Sequence, residues 1–185
     1  MAPAITTVAI DQNGDGWAEI RFTLEGSFSD VTVTVEDGDT GLQFGSGPLA
    51  GTEGDDSLTG TAEADTISAL GGDDTVSGLG GDDQISGGAG NDEIYGGEGA
   101  DSLSGGDDAD MLDGGAGNDV LDGGAGSDTL HAEDGTDTVS AGEGDDAIYA
   151  GSEGVIDGGA GNDTLYVDTR SDLDGLTVDV PERQG

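Results

Sequence analysis

Residues 87–131 read GGAGNDEIY, GGEGADSLS, GGDDADMLD, GGAGNDVLD and GGAGSDTLH, five consecutive nonapeptides of the pattern G-G-x-G-x-D-x-U-x, with U aliphatic. Carried both ways, the frame starts units at 51, 60, 69, 78, 87, 96, 105, 114, 123, 132, 141, 150 and 158 and ends at Tyr166. Position eight is aliphatic throughout: Leu58, Ile67, Val76, Ile85, Ile94, Leu103, Leu112, Leu121, Leu130, Val139, Ile148, Ile156 and Leu165. Position six is Asp56, Asp65, Asp74, Asp83, Asp92, Asp101, Asp110, Asp119, Asp128, Asp137, Asp146 and Asp163. The unit AGSEGVID (150–157) is one residue short and lacks that Asp. A flexible Gly-rich linker matches a few such units but does not keep an aliphatic residue at every ninth step.

Each unit divides into a turn and a strand. Glycines at positions one, two and four permit positive φ and close backbone approach. Position five often carries Asp or Asn (Asp55, Asp73, Asp82, Asn91, Asn118, Asp145, Asn162), which tolerate the left-handed region. The trailing x-U-x predicts a three-residue strand whose middle side chain faces one side and whose neighbours face the other. One inward aliphatic per unit makes a thin core, so many units must stack.

On these residues the chain resembles the RTX (repeats-in-toxin), hemolysin-type calcium-binding nonapeptide proteins. The resemblance implies an all-β fold, a right-handed parallel β-roll (a β-solenoid), in which two nonapeptides make one coil and calcium sits between turns of successive coils. Units starting at 51, 69, 87, 105, 123, 141 and 158 would form one turn column, and those at 60, 78, 96, 114, 132 and 150 the other.

Within a column, position-six carboxylates would stand about 4.8 Å apart, the inter-strand spacing. Like charges at that distance repel by ~1 kcal/mol in water and by more at lower dielectric. A hard divalent cation turns repulsion into coordination, and Ca2+ accepts carboxylates together with backbone carbonyls, whereas Mg2+ demands stricter geometry. Candidate carbonyl-bearing turn glycines are Gly72, Gly81, Gly87, Gly90, Gly96, Gly99, Gly105, Gly114, Gly117, Gly123, Gly126, Gly135, Gly144 and Gly161. Seven Asp-bearing turns in one column and five in the other leave about ten gaps, hence about ten calcium ions. Glu63, Asp108 and Glu153 replace the position-four Gly, and Ala132–Glu133 replace the opening Gly pair; these turns are expected to bind more weakly.

The composition agrees. Forty-two acidic residues face three arginines and no lysine, for a net charge of −39, which ordinarily predicts an unfolded polyanion. Recurrence of the acids at fixed positions favours ligands over a solvated face. Nucleic acid is excluded for want of a basic patch, and anionic lipid is disfavoured. There is no cysteine, so metal is left as the staple. No stretch reaches transmembrane length, so no membrane insertion is expected. MAPAITTVAI lacks a basic n-region and a long apolar run, so no Sec-type signal is expected.

Residues 1–50 differ in kind. Ile5–Ile10, the Ile20/Phe22/Leu24 alternation and the Val31/Val33/Val35 alternation, with Leu42 and Phe44, predict a small antiparallel β unit, a cap for the roll or the tail of an adjoining β segment. Between its first strands, Asp11, Asn13, Asp15 and Glu19 place oxygens at about positions 1, 3, 5 and 9 of an EF-hand loop, with Gly16 at position 6. Two readings stand: one further calcium site, or an Asn-Gly/Asp-Gly hairpin turn. After residues 51–166, the tail 167–185 carries Leu173, Leu176, Val178 and Val180, an alternation that predicts a closing strand. RTX proteins carry a C-terminal type I secretion signal; PERQG gives no specific match.

The leading expectation is a non-enzymatic calcium-binding module of an exported bacterial protein, monomeric, secreted or on the cell surface, folding on calcium outside the cell. The second is an accessory module that grips polysaccharide or a cell-surface partner, as in epimerases, proteases or lipases that this chain resembles. An outward row at position nine (Tyr95, Asp113, His131, Tyr149, Tyr166) offers a mixed aromatic ladder for a glycan, but an ordinary solvated sheet face is the favoured reading. A complete hydrolase lacks its constellation, since neither H-E-x-x-H nor G-x-S-x-G occurs.

Overall fold

The computed structural model describes residues 48–167 and 175–179 in full, and the backbone of four strands at 5–12, 18–24, 30–32 and 43–45. The chain divides into two compact units, Met1–Thr32 with Phe44–Ser46, and Val33–Gln43 with Gly47–Gly185.

In the first unit β1 (Ile5–Gln12) and β2 (Ala18–Leu24) pair antiparallel, with Ile10 opposite Ile20 and Asp11 opposite Glu19. A second short pair is β3 (Asp30–Thr32) with β4 (Gln43–Gly45). Val33, Val35 and Leu42 lie outside the described residues.

The second unit is a parallel roll. Its strands begin with β5 (Leu49–Ala50), β6 (Ser57–Thr59), β7 (Thr66–Gly71), β8 (Thr75–Gly80) and β9 (Gln84–Ala89). They continue with β10 (Glu93–Glu98), β11 (Ser102–Asp107), β12 (Met111–Ala116), β13 (Val120–Ala125) and β14 (Thr129–Ala132). The last are β15 (Asp137–Glu143), β16 (Ala147–Ala150), β17 (Glu153–Asp157), β18 (Thr164–Val167) and β19 (Gly175–Asp179). Even-numbered strands from β6 to β18 make a seven-stranded sheet, and odd-numbered strands from β5 to β19 an eight-stranded one. Neighbours pair in parallel, Ile94 opposite Leu112 in one sheet and Leu103 opposite Leu121 in the other. Each coil therefore takes two nonapeptides, one strand in each sheet, as the resemblance implied. No helix occurs among the described residues.

The core is the file of position-eight side chains from both sheets, buried from Leu58 to Ile156 and extended at its start by Leu49. Ala69, Ala132, Ala141 and Ala150, at position one, complete it, and Leu165 and Leu176 pack against its far end. Leu173 and Val180 lie outside the described residues. Deletion of one residue in 150–157 leaves the core in register, because Ile156 still sits opposite Val139 and Leu165 opposite Ile148.

Two local expectations are corrected. Most strands are about twice as long as x-U-x: β10 runs on from Glu93 through Gly96 and Gly97 to Glu98, and Gly97 pairs with Gly115 in the ladder. Glycine is weighed as a turn former, yet its N–H and C=O serve a ladder as well as any other residue's; the turn shrinks to positions four to six. The second correction concerns position five. Among the described residues the non-glycine positive-φ positions are Leu70, Leu79 and Asp108, none of them at position five. In the regular units positive φ belongs to positions two and four, as at Gly88 (φ 123) and Gly90 (φ 119), and in the short unit it also falls at Gly154.

Candidate metal centre

Where β9 leads into β10, the turn ends at Asp92, and the same turn recurs at every edge of the roll. The carboxylates stack in two columns. Asp56 N donates to Asp74 Oδ1 at 2.7 Å, Asp74 N to Asp92 Oδ1 at 2.9 Å, Asp92 N to Asp110 Oδ1 at 2.8 Å, and the chain continues through Asp128 and Asp146 to Asp163. In the second column Asp65, Asp83, Asp101, Asp119 and Asp137 are linked in the same way. Every gap between Asp-bearing turns carries one such bond, six in the first column and four in the second.

The other carboxylate oxygen is the informative one. Oδ2 of Asp74, Asp83, Asp92, Asp101, Asp110, Asp119, Asp128, Asp137 and Asp146 is buried without a hydrogen-bond partner; all nine residues are at most 3% exposed. An unpaired carboxylate oxygen away from water costs several kcal/mol, on the order of the effective penalty for a buried ion, so nine in line call for a shared explanation.

Electrostatics point the same way. Burial pushes the Asp74 carboxyl up to about 6, against the backbone N–H of Asp56 that stabilises its anion, with Asp92, Asp56 and Asp55 adding repulsion. Asp110 is pushed up to about 7, first by burial, while the Asp92 N–H opposes and Asp128, Asp92 and Asp108 repel. Burial likewise raises Asp83, Asp92, Asp101, Asp119, Asp128, Asp137 and Asp146.

Position five forms a second ladder, running the other way. Asp73 Oδ1 accepts the N–H of Asn91 at 2.8 Å, Asn118 Oδ1 that of Thr136 at 2.9 Å, and Asp145 Oδ1 that of Asn162 at 2.8 Å. These side chains are exposed, and bonds from Asn91 lower the Asp73 carboxyl below its ordinary value. The sequence reading missed this role; recurrence of Asp and Asn at position five was its visible signal.

The glycines shape the space around Oδ2. At Gly87, Gly96, Gly105, Gly114 and Gly123 an added Cβ would run into Oδ2 of the same unit's Asp. At Gly72, Gly81, Gly90, Gly99, Gly117, Gly126, Gly135, Gly144 and Gly161 the backbone takes positive φ, and a Cβ would strike the backbone of the turn one coil back. Carbonyl oxygens thus crowd the same turns, that of Gly72 beside Gly90 and that of Gly99 beside Gly117.

The donor set suits a hard cation. Among the described residues no three Asp, Glu or His side chains converge on one point, so carboxylates alone make no cage. One free carboxylate oxygen among glycine-turn carbonyls is an all-oxygen environment, which fits Ca2+ and offers nothing to soft metals. Asp11 and Glu19 are register partners in the β1–β2 ladder; Asn13, Asp15 and Gly16 lie outside the described residues.

On the outer face of the even-numbered sheet, His131 stacks on Tyr149 at 4.6 Å and Tyr149 on Tyr166 at 4.7 Å between ring centroids. His131 Nδ1 lies 3.4 Å from Glu133 Oε2.

Comparison with known proteins agrees with this geometry. The family model described as RTX calcium-binding nonapeptide repeat (4 copies) matches residues 50–85, 77–112, 86–121, 122–153 and 155–169, well over half of the chain. No curated protein matches the chain.

Proposed function

The chain belongs to the RTX calcium-binding nonapeptide repeat family and is a calcium-binding β-roll module, and from that premise we propose that its folding is switched by calcium, with one ion in each gap between Asp-bearing turns. The observation that carries this reading is the line of nine buried, unpartnered Oδ2 atoms. The proposed ligands are the nine unpartnered Oδ2 atoms, from Asp74 to Asp146, and carbonyls of the position-one and position-four glycines. Bound calcium would supply the positive charge and oxygen coordination that this desolvated row lacks.

The balance explains the switch. Each unit buries one aliphatic side chain, while ordering it costs backbone entropy at every one of its residues. A nine-residue unit with one inward aliphatic cannot meet that cost, and buried carboxylates add to it. Binding free energy is then folding free energy. About ten ions would also cancel about half of the net charge of −39.

Extracellular calcium modules have dissociation constants of about 0.1–1 mM. A chain with such sites stays unfolded at cytosolic calcium and folds outside the cell, which fits an exported bacterial protein at or beyond the cell surface. Among the described residues no helix is long and apolar enough to cross a membrane. The roll itself is a structural module, and the catalytic motifs sought in the sequence do not occur.

A polysaccharide-gripping role draws on the His131–Tyr149–Tyr166 stack. Face-to-face stacking at 4.6–4.7 Å turns ring edges outward, and a sugar stacks on ring faces, so this geometry supports it less. Retention on a glycan array would revive it.

Circular dichroism and calorimetric titration test the main reading. The chain in chelator should give a coil spectrum, and millimolar calcium should give a β spectrum with about ten ions bound per molecule. Identical spectra in both conditions, or no more than one or two ions bound, would overturn the proposal.

A further inference from the structure

Two position-six aspartates differ from the rest. Asp56 Oδ2 accepts the backbone N–H of Thr52 at 2.6 Å and its hydroxyl at 2.9 Å. Asp65 Oδ2 accepts the N–H of Thr61 at 2.6 Å and its hydroxyl at 3.0 Å. Each hydroxyl oxygen also accepts a turn amide at 3.2 Å, from Gly54 or Glu63. The oxygen that stands unpartnered in nine other turns is satisfied here twice over.

Asp56 and Asp65 belong to the first Asp-bearing turn of their respective columns, and so have a neighbouring Asp on one side only. Thr52 and Thr61 hold position two, which in the following units is Leu70, Leu79, Gly88 and Gly97. Those four residues take positive φ; the two threonines do not. The threonine turns are wound so that the position-two N–H meets the carboxylate, and only a hydroxyl-bearing residue supplies the second donor. Two copies of the device, nine residues apart on opposite edges of the roll, share the same three contacts.

We infer that Thr52 and Thr61 are positioning residues that close the open end of each carboxylate column, their hydroxyl and amide satisfying the first Asp as cation coordination is proposed to satisfy the others. The inference rests on the calcium reading of the same turns. Its consequence is directional. Asp56 and Asp65 are held with their amides aimed at Asp74 Oδ1 and Asp83 Oδ1, so the first coil is organised for the next one to pair with.

The test uses the full chain with Thr52→Val and Thr61→Val together, which keeps shape and backbone amide but removes the hydroxyls, and Thr52→Ser with Thr61→Ser, which restores them. Amide hydrogen exchange is read at saturating calcium, and the calcium midpoint is read by circular dichroism. The valine pair should lose about tenfold protection at residues 52–66 while residues 87–148 keep theirs, matching the loss of one hydrogen bond to a charged group at each end. Its midpoint should rise, and the serine pair should restore both readouts. Unchanged protection and midpoint in the valine pair would overturn the inference. Loss of protection along the whole roll would also overturn it, because the threonines would then support the fold generally. Wild-type chain that does not fold with calcium would sink the calcium reading itself, a separate result.

Discussion

Asp110 Oδ1 accepts the backbone N–H of Asp92 at 2.8 Å across a step of 18 residues, while Oδ2 of the same carboxylate is buried and unpartnered. One side chain thus does two separable things: it stitches adjacent coils and it presents an anionic oxygen to the gap.

Asp110→Asn separates them. The amide keeps an acceptor for the Asp92 N–H and loses the charge, so the roll should still form while one or two ions are lost from the titration. Asp110→Ala removes both functions and should be more damaging by about 1–3 kcal/mol, the cost of stranding the Asp92 amide. Equal stoichiometry in wild type and Asp110→Asn, measured by calorimetry, would remove Asp110 from the ligand set.

Adjacent aspartates should behave oppositely. Asp73 is exposed and its carboxyl is lowered by bonds from Asn91, whereas Asp74 is buried and raised to about 6. Asp73→Asn should leave the calcium midpoint within about twofold, since an exposed neutral acceptor serves the Asn91 N–H nearly as well. Asp74→Asn should remove one or two ions from the calorimetric titration, which Asp73→Asn should not; a pair of variants with the same stoichiometry would contradict the two-ladder assignment.

Protons should partly replace calcium. Carboxyls raised from 3.8 to about 6 and about 7 in the roll mean that the folded chain binds more protons than the coil. That stabilisation is fully present below about pH 4 and is lost as pH rises through 6 to 7. In chelator, β structure should therefore appear on acidification below about pH 6 and vanish above pH 7, and calcium binding near pH 6.5 should release protons. A metal-free chain that stays coil down to pH 4.5 would refute this linkage.

The core reports on how many ions act together. Leu112 is fully buried, and Leu112→Ala should cost about 3 kcal/mol. Spread over about ten coupled ions that loss moves the calcium midpoint by only about 1.7-fold; carried by a single ion it would move it by more than a hundredfold. A dichroism titration of the variant distinguishes these outcomes.

Magnesium should be a poor substitute. Glycine carbonyls fixed by a sheet ladder cannot contract to the short, strictly octahedral distances of about 2.0–2.1 Å that Mg2+ demands. Folding in magnesium at the same concentration as in calcium would argue for charge neutralisation alone.

The period of nine, the file from Leu58 to Leu165 and the recurrence of Asp at position six were legible in the sequence, because a repeated local pattern imposes repeated local structure. The pairing of units 18 residues apart came from family resemblance, since a period of nine does not say whether a coil takes one unit or two. Other features depended on partners that chain order does not bring together. Gly97 lies in a strand because Gly115 is there to pair with it, and Asp73 accepts rather than turns because Asn91 stacks above it. Only the stacked structure decided which oxygen of each aspartate is satisfied: Oδ1 by the amide one coil earlier, Oδ2 by Thr52 or Thr61 at the two column ends and by no protein group in nine of the turns that follow. Composition sets what a residue can offer, and packing sets what is left over for an ion to take.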